Sequence, residues 1–234
     1  MRADACYLYF CLLIMSLTGF AQTKPDTLFV AKAQRATIAL YQRALLHDSK
    51  LFNGSEYKEY QSPTDEHPYL FEDWRIGSVV YQGELFERVP LLFDLRTGSL
   101  ITETSAQATI KLVSEHVSNF RIDQRLFEAI RNAPIANGFY EVVHDSVTKV
   151  LVGRTRSLQQ KNTVSGIERR FDERVQIYLV RSGQYWSVKT KKSVLQVLQD
   201  KKSLLKKVRL TKPFGTYRLE NIRSLAEAYD RLQP

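Results

Sequence analysis

The chain has 234 residues, 44% of them hydrophobic and 25% charged, with a formal net charge of +9 and only two cysteines. Such a balance supplies enough apolar material for one well-packed domain, and it excludes wholesale disorder, a collagen-like repeat and a disulfide-rich scaffold. The charge is uneven: from Arg154 to Lys212 there are 16 Lys or Arg against 4 Asp or Glu, a net +12 that leaves −3 for the remainder.

The chain opens MRADACYLYFCLLIMSLTGFAQ, with Arg2 near the start, an apolar run from Ala5 to Leu17, and small residues at Gly19 and Ala21. This pattern predicts a secretory signal peptide over 1–21, cleaved before Gln22. The run is shorter than the roughly 20 residues that cross hydrocarbon, so no transmembrane span is expected in the mature chain. Cys11 follows the bulky Phe10, where a lipoprotein signal carries a small residue. Cys6 and Cys11 both leave with the signal. The mature chain, 22–234, then holds no thiol, which removes disulfides, cysteine nucleophiles and zinc–thiolate sites from consideration.

Within that single mature domain, Asp26 is placed to cap an N-terminal helix, taken as the segment 22–50, with Ala33, Ala36, Leu40 and Ala44 on one face. Asn53-Gly54 marks a turn; the glycosylation pattern Asn53-Gly54-Ser55 adds little to that. From Gly77 the period changes to two. Leu85, Val89, Leu91, Phe93 and Leu95 share one side of a long strand, and Pro90 requires an edge or a bulge. Turn residues recur at Gln82-Gly83, Arg96–Ser99, His144–Ser146 and Arg181–Gly183. They divide 77–190 into strands at about 77–82, 85–95, 99–103, 108–113, 117–122, 138–145, 147–155, 173–181 and 184–190, read as an antiparallel meander.

The segment 191–234 is basic and helical. Ser193 is expected to cap a helix with Val194, Leu198, Leu205 and Val208 near one stripe, and a last helix sets Ile222, Leu225, Tyr229 and Leu232 on one face. The expected fold class is α+β: mainly an antiparallel meander, as a curved sheet or partly open barrel, with an N-terminal helix and C-terminal helices packed on it. An outer-membrane barrel does not fit, because only one strand is long and the chain ends in a charged helix.

Catalytic motifs are scarce. In FDLRTGSLI, Arg96 stands where an aspartic protease carries its Asp, and a guanidinium cannot share that proton, so the stretch reads as a hairpin turn. His47, His67, His116 and His144 lack helical metal spacing, and Asp65-Glu66-His67 sits between prolines as a loop. There is no GxSxG, GxGxxG or phosphate loop, and no cofactor or metal is expected. A triad built from distant residues stays open. Phe71, Trp74, Tyr81, Phe139, Tyr140, Tyr178, Tyr185 and Trp186 read as core or cross-strand aromatics, although a hollow barrel lined by them could carry an apolar ligand.

Four stretches, LFNGSEY, GSVVYQGELFERVPLLFDLRTGSL, GFYEVVHDS and KKSVLQVLQDKK, resemble a widespread family of exported proteins of Gram-negative bacteria to which no activity is assigned. The resemblance covers most of the mature chain and implies export and a shared fold. It transfers no catalytic or binding residue.

Location then weighs the lysines. Export to the periplasm or an outer-membrane-associated site removes nucleic acid as an expected partner. Lys201 and Lys202 interrupt the apolar stripe and no aromatic anchors it, which favours a docked helix with a solvated lysine face over a membrane-surface helix. The candidate site is therefore a surface of Lys191, Lys192, Lys201, Lys202, Lys206, Lys207 and Arg209, suited to an anionic envelope polymer, a lipid head group or an acidic protein. The expected role is an exported, non-enzymatic binding or accessory protein of the cell envelope. The alternatives are a carrier of a small hydrophobic ligand and an unrecognised hydrolase.

Overall fold

A computed structural model describes residues 50–58, 66–104, 106–163 and 166–232, all within one compact unit that starts at residue 49. The expected signal peptide, and the expected N-terminal helix apart from Lys50, lie outside the described residues. Eleven strands form one antiparallel sheet: β1 (Ser55–Glu56), β2 (Arg75–Tyr81), β3 (Glu84–Asp94), β4 (Ser99–Glu103), β5 (Thr109–Lys111), β6 (Val117–Ile122), β7 (Arg125–Ile130), β8 (Gly138–Asp145), β9 (Thr148–Thr163), β10 (Gly166–Arg181) and β11 (Gln184–Ser187). Three helices follow: α1 (Lys191–Val197), α2 (Lys202–Lys206) and α3 (Arg218–Arg231).

The strand order is β1-β5-β4-β3-β2-β6-β7-β8-β9-β10-β11, which corrects the simple meander. Strands β2 to β5 run outward as successive hairpins. The chain then returns through a 3-10 turn at Ser114–His116 and lays β6 along the other side of β2. From β6 onward neighbouring strands follow chain order as a meander, with β7 added between the expected β6 and β8, and with β9 and β10 longer than the turn residues predict. The tight hairpins form where the turn residues adopt positive φ, as at Gln82-Gly83 and Ser182-Gly183, the geometry that matches the strand twist in two-residue loops. In β3, Arg88 at φ 57 is the extra residue of a bulge between the pairs Gly77–Val89 and Ser78–Glu87. Pro90 follows it, and its carbonyl accepts the Thr102 hydroxyl at 3.0 Å.

The sheet is open, with β1 and β11 at its edges, yet it bends strongly. β3 and β8 stand four strands apart, about 19 Å in a flat sheet. The rings of Phe93 on β3 and Phe139 on β8 nevertheless lie 6.0 Å apart, and the Leu95 carbonyl accepts the Arg156 N–H at 3.1 Å. The bend wraps Phe93, Phe120, Phe127 and Phe139 into one aromatic cluster, with Phe120 stacked on Phe127 at 4.8 Å. A second core lies over β9 and β10, where Val150, Val152, Ile177 and Leu179 meet Val194, Leu195 and Leu198 of the α1 segment, Leu205 of α2, and Ile222, Leu225, Ala226 and Tyr229 of α3. Spacing of i, i+3, i+4 and i+7 gives α3 its buried stripe. Leu232, expected on that stripe, lies past the helix end and is exposed.

Candidate functional site

The basic segment is built differently from the single Ser193-capped helix that its pattern suggests. Thr190 is the cap: its hydroxyl accepts the Ser193 N–H at 3.2 Å, and the Ser193 hydroxyl accepts the Thr190 N–H at 3.1 Å, forming a capping box. The helix stops at Leu198, a 3-10 turn spans Gln199–Lys201, and α2 begins at Lys202. Val194, Leu195, Leu198 and Leu205 are buried, which fixes the opposite side of both helices toward water.

That side carries the predicted residues. Lys192, Lys202, Lys206, Lys207 and Arg209 are exposed, while Lys191 and Lys201 are half-buried. Lys202 and Lys206 stand one turn apart on α2. None of the seven makes an ion pair with an acidic side chain among the described residues. Asp200, the one acid between Lys191 and Lys212, is already engaged: its carboxylate accepts Arg181 Nη1 at 2.9 Å and the Tyr229 hydroxyl at 2.8 Å. Burial alone raises the Asp200 pKa, but the Tyr229 hydrogen bond and the Arg181 charge outweigh it and hold the carboxyl below its ordinary range. Arg181 also lies over the Tyr229 ring at 5.0 Å.

A second polar feature lies within the sheet and has no local sequence motif. Directly opposite residues across β6 to β10 form the row Phe120, Phe127, Glu141, Val152 and Ile177. Glu141 thus stands on the same sheet face as both apolar cores, between them. Its carboxylate accepts Arg125 Nε at 2.7 Å and Nη2 at 2.5 Å, and Arg154 Nε approaches it at 3.5 Å. Arg154 and Arg156 each donate to Glu173, at 3.0 and 3.1 Å. Arg156 also donates to the carbonyls of His67 at 2.6 Å and Tyr69 at 2.9 Å. Burial raises the Glu173 pKa, and the two guanidiniums more than reverse this, leaving it below the usual carboxylate value. Arg154 and Arg156 stand two residues apart on β9, with Glu173 opposite Arg156 on β10, and that spacing of two is the trace such a belt leaves in sequence.

The remaining polar clusters are fastenings. Asp94 accepts the N–H groups of Arg96 at 2.8 Å and Thr97 at 3.2 Å, and the Thr97 hydroxyl at 2.7 Å, so FDLRTGSLI is the expected turn closed by an Asx motif. Tyr57 also donates to Asp94 at 3.1 Å, and its burial pushes the phenol pKa up. His144 Nε2 lies 2.6 Å from Asp230, which accepts the Thr148 hydroxyl at 3.0 Å. In a nucleophilic triad the hydroxyl bonds to the histidine; here both bond to the carboxylate, tying α3 to the β8–β9 turn. Among the described residues no three His, Asp or Glu side chains are grouped to hold a metal. Open clefts of about 350 and 240 Å³ adjoin at Thr97, Gly98, Asn137, Gly138 and Phe139.

The chain matches no family model, no curated protein and no solved structure at a significant level. Among the described residues no helix is long and apolar enough to cross a membrane.

Proposed function

We propose that the protein is an exported, non-enzymatic binding or accessory module of the cell envelope, whose α1–α2 face receives an anionic partner. The carrying observation is the set of exposed cations Lys192, Lys202, Lys206, Lys207 and Arg209, held outward by buried leucines and unpaired with acids among the described residues. Cations that serve folding are matched here: Arg125, Arg154, Arg156 and Arg181 all meet carboxylates. The lysine face is left to attract charge from outside, weakening as salt shortens the reach of the field.

The test is co-sedimentation of the purified chain with lipopolysaccharide, and separately with phosphatidylglycerol vesicles, at low and high salt. The reading expects salt-sensitive binding to at least one, lost when Lys201, Lys202, Lys206 and Lys207 become Glu. Undiminished binding by that variant, or no binding by the parent chain, defeats it. Retention by lipopolysaccharide alone identifies a polymer partner, and retention by both a phosphate-bearing lipid surface.

A further inference from the structure

The β9–β10 hairpin continues well beyond the sheet. β8 pairs with β9 as far as Val152, and β11 pairs with β10 from Tyr178. Residues 153–163 and 166–177 therefore pair only with each other among the described strands. They form a two-stranded arm about 36 Å long at the usual rise per residue. The outer edge of β10 on this arm presents a row of backbone groups of the kind that templates pairing with another chain.

Two contacts give the direction of those groups. The Phe171 N–H donates to the Glu66 carboxylate, and the Ile177 carbonyl accepts the Val188 N–H at 2.9 Å. In an antiparallel strand both backbone groups of one residue point the same way and alternate along the chain. The odd-numbered residues of β10 thus turn their N–H and C=O away from β9.

Along this edge the sequence reads Arg169-Arg170-Phe171-Asp172-Glu173. A second copy laid antiparallel about a two-fold axis at Phe171 sets Phe171 opposite Phe171, Arg170 opposite Asp172, Arg169 opposite Glu173, and Ile167 opposite Val175. Each unlike-charge pairing occurs twice, and odd residues face odd residues, so the outward backbone groups meet. Moving the axis one residue back sets Arg170 against Arg170. Moving it one residue forward sets Asp172 against Asp172 and Arg170 against Arg174. Like charges directly opposite each other destabilise a pair of strands, so charge selects the Phe171-centred register over both of its neighbours.

We infer that this edge is an interface for a second copy of the chain: a symmetric dimer through antiparallel β10–β10 pairing centred on Phe171. The contact is isologous, as two-fold symmetry requires. Arg170 and Asp172, with side chains 70% and 49% exposed, stand ready for exchange from their own 3.1 Å pair to the partner's. Glu173 already holds Arg154 and Arg156, so the partner's arginine joins an existing cluster. The Glu66 carboxylate gives way to the partner's backbone carbonyl.

The experiment is sedimentation velocity of the full chain from micromolar to millimolar concentration, on the parent, Arg170→Asp, Asp172→Arg and the double variant. The parent is expected to dimerise with concentration. Each single variant places like charges opposite each other twice and stays monomeric. The double variant, and an equimolar mixture of the two singles, restore unlike pairs and dimerise, and Glu66→Ala dimerises at least as well as the parent. The mixture makes the test independent of folding, because neither single variant can self-pair. A parent that keeps single-chain mass throughout overturns the proposal, as does a dimer indifferent to the swaps, or a double variant and mixture that stay monomeric.

Discussion

Glu141 grips Arg125 with both carboxylate oxygens, at 2.7 and 2.5 Å, across the β7–β8 ladder. The two side chains are only 11% and 27% exposed, and Arg154 stands behind the same carboxylate. Replacing Glu141 by Gln leaves two guanidiniums close together with no negative charge between them. Breaking one partner out of a buried pair costs about 3 kcal/mol. Urea unfolding monitored by tryptophan fluorescence is expected to show a midpoint lowered accordingly, with unchanged slope; a midpoint equal to the parent's counts against the belt as a stabilising element.

Acid acts on the same belt through Glu173. Its folded pKa lies below the 4.5 of a free side chain, despite burial, because Arg154 and Arg156 hold the charged form. A depressed folded value contributes stability that is complete above the unfolded value and vanishes as pH falls through the folded one. Stability is therefore expected to decline below about pH 4.5. Glu173→Gln flattens that decline, so thermal midpoints of the two proteins converge in acid and diverge near neutrality. Parallel profiles rule the assignment out.

Asp230 fastens α3 to the sheet through His144 and the backbone and hydroxyl of Thr148. Thr148 is fully buried, so Asp230→Ala strands its donors without water, at about 2–3 kcal/mol. Hydrogen exchange is expected to quicken in α3 and the β8–β9 turn, while β3 and β6 keep their protection. A uniform change across the chain removes the local role.

Gly77 faces the β2–β6 seam, where the strand order reverses. A Cβ there runs into the Arg121 carbonyl oxygen of the neighbouring backbone and the Leu91 side chain. Backbone cannot yield as a side-chain tip does, so Gly77→Ala is expected to cost about 3 kcal/mol, the upper end for overpacking. The check is the soluble yield and chemical midpoint of that variant beside Gly215→Ala, whose Cβ meets nothing nearby and which behaves as the parent.

Hairpins were legible in sequence because Gln82-Gly83 and Ser182-Gly183 supply positive φ on the spot. The docking stripe of the basic segment was legible because Val194, Leu198 and Leu205 fall at helical spacing and are buried. The placement of β6 beside β2 was not, since no local residue records which earlier strand a returning chain meets. The alternation of β7 is masked because Arg125 sits on its inward face, beside Phe127, where the pattern calls for an apolar side chain; the belt explains that charge. The outer halves of β9 and β10 carry no such alternation, because a ribbon whose two strands pair with each other outside the sheet needs no apolar side. Of the basic face, composition foretold the cations and their segment. The Thr190 cap and the break at Leu198 depended on side-chain bonds that periodicity does not encode.

Dividing one sheet face into an aromatic core and a helix-covered aliphatic core, with ions between, limits how tightly the halves melt together. α1 and α2 have seven and five residues, too short to persist undocked, so they leave together when the aliphatic half loosens. Amide protons are expected to fall into two exchange classes, with β9, β11 and the helices opening as a sub-global unit while β2, β3, β6 and β7 stay shut. The surface that presents the lysines is thereby the part of the molecule whose order responds first to temperature or denaturant, and whatever binds there tightens the half that would otherwise let go.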